Sequence, residues 1–295
     1  MQRRAFLKSV PAAWPVLARA PLAWADGGDR QQRRVLFFTR SAGFEHSVVQ
    51  RHGSELSHSE KNLIEMGRRS GFVVDCSKDG SVFDGNLDQY DAIAFYTTGD
   101  LTGPAQDGSP PMTPAGKQKL LNAIAAGKGF AGFHSASDTF HSSGPRDENQ
   151  AEVDPYIAML GGEFVTHGVE QEASLLATSE FFYKSIGVPY EGLSFTDEWY
   201  TFKNFAKDLH VILVQETRFM KGEAYRRPDY PATWVRMHGR GRVFYTSLGH
   251  REDVWVNPFF QAMAQGGLAW VMHQFDFDIT PNLEKAAPHA GRLKA

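Results

Sequence analysis

Four of the eleven histidines stand where an apolar segment gives way to a polar loop: His46, His134, His167 and His250. Histidine is the side chain best suited to acid–base chemistry near neutral pH and to metal binding. One such histidine alone is more often structural, held by hydrogen bonds within the fold. Four at similar positions favour a shared role for at least two of them.

Two carboxylates and two aromatic residues follow one another in Asp197-Glu-Trp-Tyr200. A carboxylate beside aromatic surface can act as a base with a raised pKa, and aromatic planes commonly bind sugar rings. We therefore interpret Asp197 and Glu198 as partner carboxylates, and Trp199 and Tyr200 as sugar platforms. The alternative is a solvated strand end with Trp199 packed in the core. Arg236 is a further candidate for substrate binding, because a guanidinium can neutralise an oxyanion or pair with these acids.

The segment Gly132-Phe-His-Ser-Ala136 lies where α/β enzymes carry a strained nucleophile elbow, but His134 occupies the position of the nucleophile. Ser135 is one position away and remains a candidate for substrate binding. Cys76 lies in an apolar run, which is typical of a packing residue. No glycine-rich phosphate loop is present in the sequence, so no nucleotide cofactor is expected.

Short apolar runs alternate with helix signals in the first half of the chain. The predicted strands are Arg33–Arg40, Phe72–Cys76, Tyr90–Tyr96 and Phe130–Phe133. A capping box of Ser57 and Glu60 predicts a helix over about 57–69, and Thr113-Pro predicts another that ends at Gly127. Apolar strands in this order favour a parallel sheet covered on both faces. Ligands bind at the carboxyl edge of such sheets, and that edge is where the polar residues fall.

The second half predicts more antiparallel structure. After a helix near 151–160, the predicted strands are Glu170–Ala177, Phe195–Phe202, Leu209–Glu216, Ala232–His238 and Arg242–Leu248. A glycine-bearing turn joins the last two as a hairpin, and Asn257-Pro predicts a final helix to about His273. We expect an α/β three-layer sandwich with a mainly parallel central sheet and additional antiparallel strands in the second half. One domain would span residues 31–280, followed by a C-terminal tail at 281–295.

Composition excludes several classes of partner and site. The formal net charge of −3 becomes −7 if residues 1–25, with four cationic residues and no acid, are removed. A mildly acidic protein argues against a nucleic acid or an anionic membrane as partner. The single cysteine excludes an intrachain disulfide and a cysteine-based metal cluster. No segment approaches the ~20 apolar residues of a membrane span, so no membrane insertion is expected.

The N-terminus predicts export. Arg3-Arg-Ala-Phe-Leu-Lys8 is similar to a twin-arginine motif, and Ala23-Trp-Ala25 is similar to a signal-peptidase site. We expect residues 1–25 to be a twin-arginine signal peptide and the mature protein to be periplasmic. An ordinary basic terminus is the alternative.

Several segments together resemble the ThuA-like (trehalose-utilisation) family, whose fold is similar to that of class I glutamine amidotransferases. The matching segments over about 34–272 are Val35-Leu-Phe-Phe-Thr, Gly43-Phe-Glu-His46, Tyr90–Tyr96, Gly127–Ser135, Leu160-Gly-Gly with His167, Asp197–Tyr200, Trp234–His238 and Gly241–His250. The resemblance implies an amidotransferase-like α/β sandwich that lacks the amidotransferase cysteine. It places His134 near that lost nucleophile, and His250 with Glu252 near a His-x-Glu pair. It also implies a role in sugar utilisation beside oxidoreductases that make 3-keto-sugars, and a metal in some relatives.

We therefore hypothesise an exported carbohydrate-processing enzyme, a hydrolase, lyase or isomerase, that acts on a sugar or a keto-sugar of the 3-keto-glycoside type. The predicted catalytic residues are His134, His250, Asp197 and Glu198, and the predicted substrate-binding residues are His46, Trp199, Tyr200, Arg236 and Ser135. The candidate metal ligands are His46, His134, His167 and His250; imidazole and carboxylate without thiolate suit zinc, manganese or iron.

Two rival hypotheses stay open. One is a non-catalytic sugar-binding or scaffold protein with the same fold, and the other is an amidase or glutaminase-like hydrolase that uses Ser135 or Cys76. A homo-oligomer is compatible with each of the three.

Overall fold

Residues 32–294 are described by a computed structural model, so the predicted signal peptide at 1–25 lies outside the described residues. In the described range, no helix combines the length and the apolar character needed to cross a membrane.

The first half of the chain forms the four predicted strands, which pair in parallel. They are β1 (Arg33–Phe38), β2 (Phe72–Ser77), β3 (Ala92–Phe95) and β4 (Gly129–Phe133). Helix α1 (His58–Ser70) follows β1, and helix α2 (Pro114–Ala125) precedes β4. The capping box of Ser57 and Glu60 is present at the start of α1, and Thr113 caps α2, as the sequence predicts.

The second half adds seven strands. They are β5 (Glu163–His167), β6 (Gln171–Ala177), β7 (Leu193–Asp197), β8 (Tyr200–Lys203), β9 (His210–Gln215), β10 (Tyr230–His238) and β11 (Gly241–Thr246). The helices of this half are α3 (Pro155–Leu160), α4 (Glu180–Ile186), α5 (Glu252–Trp255), α6 (Pro258–Val271) and α7 (Leu283–Ala286). The predicted hairpin is confirmed as the antiparallel pair β10 and β11.

One sheet contains nine of these strands, in the order β2-β1-β3-β4-β11-β10-β9-β6-β7, and β5 pairs with β8 in a separate two-stranded sheet. Strand β11 runs parallel to β4 although its hairpin partner is antiparallel. The carboxyl ends of β1, β3, β4 and β11 therefore meet at one edge. The predicted α/β sandwich, parallel first and antiparallel later, is confirmed.

Each face of the large sheet carries its own apolar core. Along β1, Val35 and Phe37 point into one core with residues of α1 and α6, whereas Leu36 and Phe38 point into the other with residues of α2 and α3. This alternation of buried neighbours is what a strand covered on both faces requires. The segment after residue 280 packs on the second core, where Ala287 and Ala290 are buried.

Two predicted elements have different bounds. The helix near 151–160 begins only at Pro155, because Asp154 caps it by accepting a hydrogen bond from the Tyr156 N–H. The strand predicted over Phe195–Phe202 is divided between β7 and β8, which belong to different sheets. Glu198 and Trp199 form the turn between them.

Candidate functional site

Four side chains converge at the carboxyl edge of the sheet. His46 follows β1, His134 follows β4, Glu198 lies between β7 and β8, and His250 follows β11. One ligand atom from each lies within 4.8 Å of the ligand atoms of the other three. His46 and His134 are buried, and the exposed fraction of the side chain is only 12% for Glu198 and 19% for His250.

The backbone of His134 is strained in a way that aims its side chain. Its φ is +40°, in the left-handed region that few residues other than glycine adopt. Tyr245 donates a hydrogen bond of 2.6 Å to the His134 carbonyl, which fixes this conformation. The imidazole Nδ1 lies 2.7 Å from the Ser247 carbonyl oxygen. A carbonyl can only accept, so Nδ1 carries a proton, and Nε2 is the ring nitrogen that faces Glu198 in the cluster.

Asp197 connects the loop of His250 to the turn of Glu198. Its buried carboxylate accepts hydrogen bonds from the N–H groups of Gly249 (2.8 Å), Arg251 (3.1 Å) and Glu198 (3.0 Å). Burial raises the pKa of Asp197, although these donors and His134 oppose that shift. Asp197 is therefore a positioning residue for two members of the cluster.

Glu198 divides its two carboxylate oxygens between the cluster and a fifth residue. Oε2 lies 3.2 Å from His250 Nδ1, 3.4 Å from His134 Nε2 and 4.0 Å from His46 Nε2. Oε1 lies 2.9 Å from Nδ1 of His167, which also lies 2.9 Å from the Gly168 carbonyl oxygen. Since both partners are acceptors, His167 Nδ1 carries a proton and donates it towards Glu198.

Three imidazole nitrogens of the cluster make no hydrogen bond of normal geometry. Within the described range, His46 Nδ1, His134 Nε2 and His250 Nδ1 are all buried and make no hydrogen bond. Each such buried polar atom destabilises a fold by about 1–3 kcal/mol unless something satisfies it. Three such atoms in one cluster could be satisfied together by a bound group.

The electrostatics of the cluster favour a cation. Burial, together with His134 and His250, lowers the pKa of His46 to about 2, so this imidazole is neutral. Burial opposes ionisation of Glu198, but the imidazoles of His134, His167 and His250 outweigh it and hold the pKa of the carboxyl well below its usual range. Imidazole nitrogens and an ionised carboxylate are the types of donor that zinc, manganese and iron accept.

The residues present therefore fit a divalent metal, which His46, His134, His250 and Glu198 would hold. Metal-binding histidines usually make a second contact that fixes the ring. His134 has this contact at the Ser247 carbonyl, and His250 has one at Glu170, whose Oε1 lies 3.4 Å from Nε2. Arg251 holds Glu170 in turn at 2.6 Å.

Several site residues predicted from the sequence have other roles. His167 contacts Glu198 from outside the four-residue cluster, so it supports a ligand instead of being one of the set. Ser135 is buried beside His134, and its hydroxyl makes no hydrogen bond among the described residues. Glu252 is exposed; the carboxylates that face His250 are Glu198 and Glu170.

The roles predicted for Trp199 and Tyr200 as sugar platforms, and for Arg236 in substrate binding, do not agree with the positions of these residues. Trp199 is fully buried, and its Nε1 donates to the Gln171 carbonyl, so the indole offers no face to a ligand. Tyr200 is only 3% exposed, with its hydroxyl 3.3 Å from His46 Nε2. Arg236 binds the Ala158 and Met159 carbonyls and Asp208, away from the cluster.

Two further residues at the site have no clear signal in the sequence. Glu170 lies in the loop between β5 and β6. The sequence predicts it as the first residue of a strand over Glu170–Ala177, so its contact with His250 could not be foreseen. Phe44 contacts the ring of His46, with ring centroids 5.0 Å apart, and it is 68% exposed. That an exposed aromatic residue lies beside the site can be recognised only when the position of its loop in the fold is known.

A second network of charged residues lies in the segment that follows His134. His141 binds Asp138 at 2.7 Å and Glu163 at 3.1 Å. Burial alone would lower its pKa, but the two carboxylates raise the pKa of His141 to about 9. The imidazolium ties the segment after His134 to strand β5.

Two solved structures have the same fold at low sequence identity. A ThuA-like protein from Bacteroides uniformis matches with a TM-score of 0.54 and 18% identity over 81% of this chain and 91% of that chain. A ThuA-like protein from Parabacteroides merdae matches with a TM-score of 0.56 and 17% identity over 90% of this chain and all (100%) of that chain. A search of curated proteins finds no match.

The family model described as "ThuA: Trehalose utilisation" matches residues 34–271, which include all four members of the cluster. That range is most of the chain and agrees with the segments that carry the resemblance. The chain belongs to the ThuA family.

Proposed function

We propose that this protein is a metal-dependent, carbohydrate-processing enzyme that acts on a sugar or a keto-sugar of the 3-keto-glycoside type. One observation carries the proposal. Three histidines and one carboxylate converge at the edge of the sheet where α/β folds bind ligands, and three buried imidazole nitrogens of this cluster make no hydrogen bond within the described range.

A divalent metal held there would act as a Lewis acid and polarise a carbonyl or hydroxyl oxygen of the sugar. The chain supplies the proton-exchanging groups. His167 is 43% exposed and donates its Nδ1–H to Glu198 Oε1, so it links the buried carboxylate to solvent. The hydrogen bond to Glu198 raises the pKa of His167, which makes the imidazolium accessible near neutral pH.

The charges beside His250 support an uncharged substrate. Arg251 is committed to Glu170 and Asp253. Its guanidinium is thus already neutralised and is poorly suited to a phosphate or carboxylate of a ligand. A neutral sugar agrees with this setting and with the family description of trehalose utilisation.

The test combines metal analysis with single substitutions. We expect about one equivalent of metal in protein purified by its native route, and loss of metal and turnover in His134→Ala and His250→Ala. His52→Ala, at an exposed position, is the matched control and should retain both. Turnover is measured against a panel of 3-keto-glycosides. A wild-type protein without metal and without turnover would refute the proposal.

The two rivals make different predictions. A non-catalytic sugar-binding protein would bind sugars equally well after His134→Ala. An amidase would hydrolyse glutamine and lose that activity in Ser135→Ala or Cys76→Ala. The amidase is disfavoured because the Ser135 hydroxyl contacts no base in the described range, and burial raises the pKa of the Cys76 thiol.

We propose also that the protein is exported to the periplasm. The twin-arginine motif and the small-x-small triplet of the sequence support this. Replacement of Arg3 and Arg4 by Lys should leave the precursor in the cytoplasm, whereas the wild type should appear in the periplasm with Asp26 as its first residue. Equal fractionation of both would contradict export.

A further inference from the structure

The four-residue cluster supplies groups that can bind a metal or transfer protons, but its own described side chains include no exposed aromatic ring that could bind a sugar. The aromatic rings in contact with its histidines are Tyr96, Tyr200 and Phe44. Tyr96 is fully buried and Tyr200 is 3% exposed, so neither face is available. Among these three rings, Phe44 alone meets solvent, with 68% of its surface exposed.

The position of Phe44 distinguishes it from an ordinary exposed apolar residue. Scattered single apolar residues on a surface need no explanation. Phe44, however, makes a T-shaped contact with the ring of His46, at a centroid distance of 5.0 Å and an interplanar angle of 89°. Its free surface thus lies directly beside the donor set.

The backbone of this loop is held in place, so the ring is presented from a fixed position. Thr98 donates through Oγ1 to the Phe44 carbonyl at 2.8 Å. Ala42 and Gly43 both donate to the Thr98 carbonyl, at 2.9 and 3.2 Å. Gly43 packs closely enough on Thr98 that an added Cβ would lie 3.3 Å from its Oγ1. A preorganised contact loses less conformational entropy on binding than a mobile one.

The chemistry of a phenyl ring defines what it can recognise. Its face carries partial negative charge and it has no hydrogen-bonding group. A pyranose presents a face of C–H groups that complements such a ring, while its hydroxyls remain free for polar partners. We propose that Phe44 is the stacking platform for a sugar ring at this site, and so a specificity-determining residue. The inference rests on the proposed function, since it assumes a sugar as ligand.

The test measures sugar binding, with trehalose and a methyl 3-keto-glucoside as probes and metal content determined for every variant. We expect Phe44→Ala to raise the dissociation constant about three- to tenfold, the range of one aromatic contact. Phe44→Leu should lose nearly as much because it keeps apolar volume without a π face, and Phe44→Trp should bind at least as well as the wild type.

Phe181→Ala is the matched control, since Phe181 is 66% exposed on helix α4. Strand β6 pairs with Asp197 at its first residue and runs away from it towards α4, so Phe181 is remote from the cluster. This variant should bind both sugars as the wild type does, and all variants should retain their metal.

Unchanged sugar binding in Phe44→Ala would overturn the proposal that Phe44 is a stacking platform. A wild-type protein that binds neither probe would also overturn it. Equal binding in Phe44→Leu and the wild type would overturn it too, because an apolar contact alone would then suffice. Failure of the proposed function alone has a different signature: binding that depends on Phe44 in a protein that turns over neither sugar.

Discussion

Replacement of Asp197 by Asn should separate the loop of His250 from the turn of Glu198. The carboxylate accepts three backbone N–H groups, two through Oδ1 and one through Oδ2. An amide has one acceptor oxygen, and its NH₂ group can only donate. Whichever way the Asn side chain is oriented, at least one buried N–H loses its acceptor.

The magnitude follows from these contacts. One orphaned buried donor destabilises the fold by about 1–3 kcal/mol, and two charge-assisted bonds become weaker neutral ones. Removal of a buried charge offsets part of this loss. We expect a net decrease of about 2–3 kcal/mol in the free energy of unfolding, which lowers Tm by about 5–10 °C for a domain of this size.

The assay is thermal unfolding of chelator-treated protein, so that metal binding does not contribute. Asp278→Asn is the matched control. Asp278 is exposed, and it accepts from Thr280 N and Thr280 Oγ1 through the same oxygen, which an amide can replace. We expect a change below about 0.5 kcal/mol there. Equal Tm values for the two variants would refute the reasoning, because the Asp197 contacts would then contribute nothing.

Three further predictions concern stability elsewhere. Gly267→Ala should destabilise the protein by about 1–3 kcal/mol in denaturant titrations, because an added Cβ would lie 2.7 Å from the buried ring of Phe244. Gly291→Ala, with no atom within 4 Å of its Cβ position, should not. The contribution of the protonated His141 side chain to the free energy of unfolding should be complete below about pH 6.5. It should disappear as the pH rises through about 9, since the pKa of His141 is higher in the folded state than in the unfolded state. His141→Gln should remove that part of the pH dependence of Tm, and an unchanged profile would contradict the ion pair. Ser57→Ala should destabilise the protein by about 1 kcal/mol in the same titrations through loss of the capping box.

The parallel half of the fold is predictable from the sequence because each element carries its own local signal. The strands β1 to β4 are short apolar runs, Ser57 caps the helix that follows β1, and Thr113 caps the helix that follows β3. Three of the four proposed ligands are likewise predictable, since His46, His134 and His250 each follow a strand whose carboxyl end lies at one edge. Because parallel strands end at the same edge of a sheet, residues that directly follow these strands in the sequence lie close together in the fold.

The environment of Glu198 is not predictable in the same way. The residues on either side of Glu198 and Trp199 have the composition of one continuous strand, and only tertiary pairing divides them between β7 and β8. The division is stabilised by the Asp197 carboxylate, which accepts from N–H groups more than 50 residues away in the chain. Such long-range contacts leave no local pattern, so the sequence leaves open whether Trp199 is a sugar platform or a core residue, and the structure places it in the core.

The strained backbone at His134 positions its side chain at the edge of the sheet. A positive φ at a non-glycine residue costs about 1–2 kcal/mol and persists only if its surroundings enforce it. Here Tyr245 holds the carbonyl and Ser247 holds Nδ1, so the conformation directs Nε2, and not the backbone, at the ligand position. An elbow that exposes the side-chain tip at a sheet edge serves a metal ligand as well as a nucleophile, because both require one lone pair in a fixed direction. A cysteine at this position would reach less far and would lack the second ring nitrogen that Ser247 anchors. The Ser247 carbonyl is therefore the contact that fixes the orientation of the histidine ring at this turn.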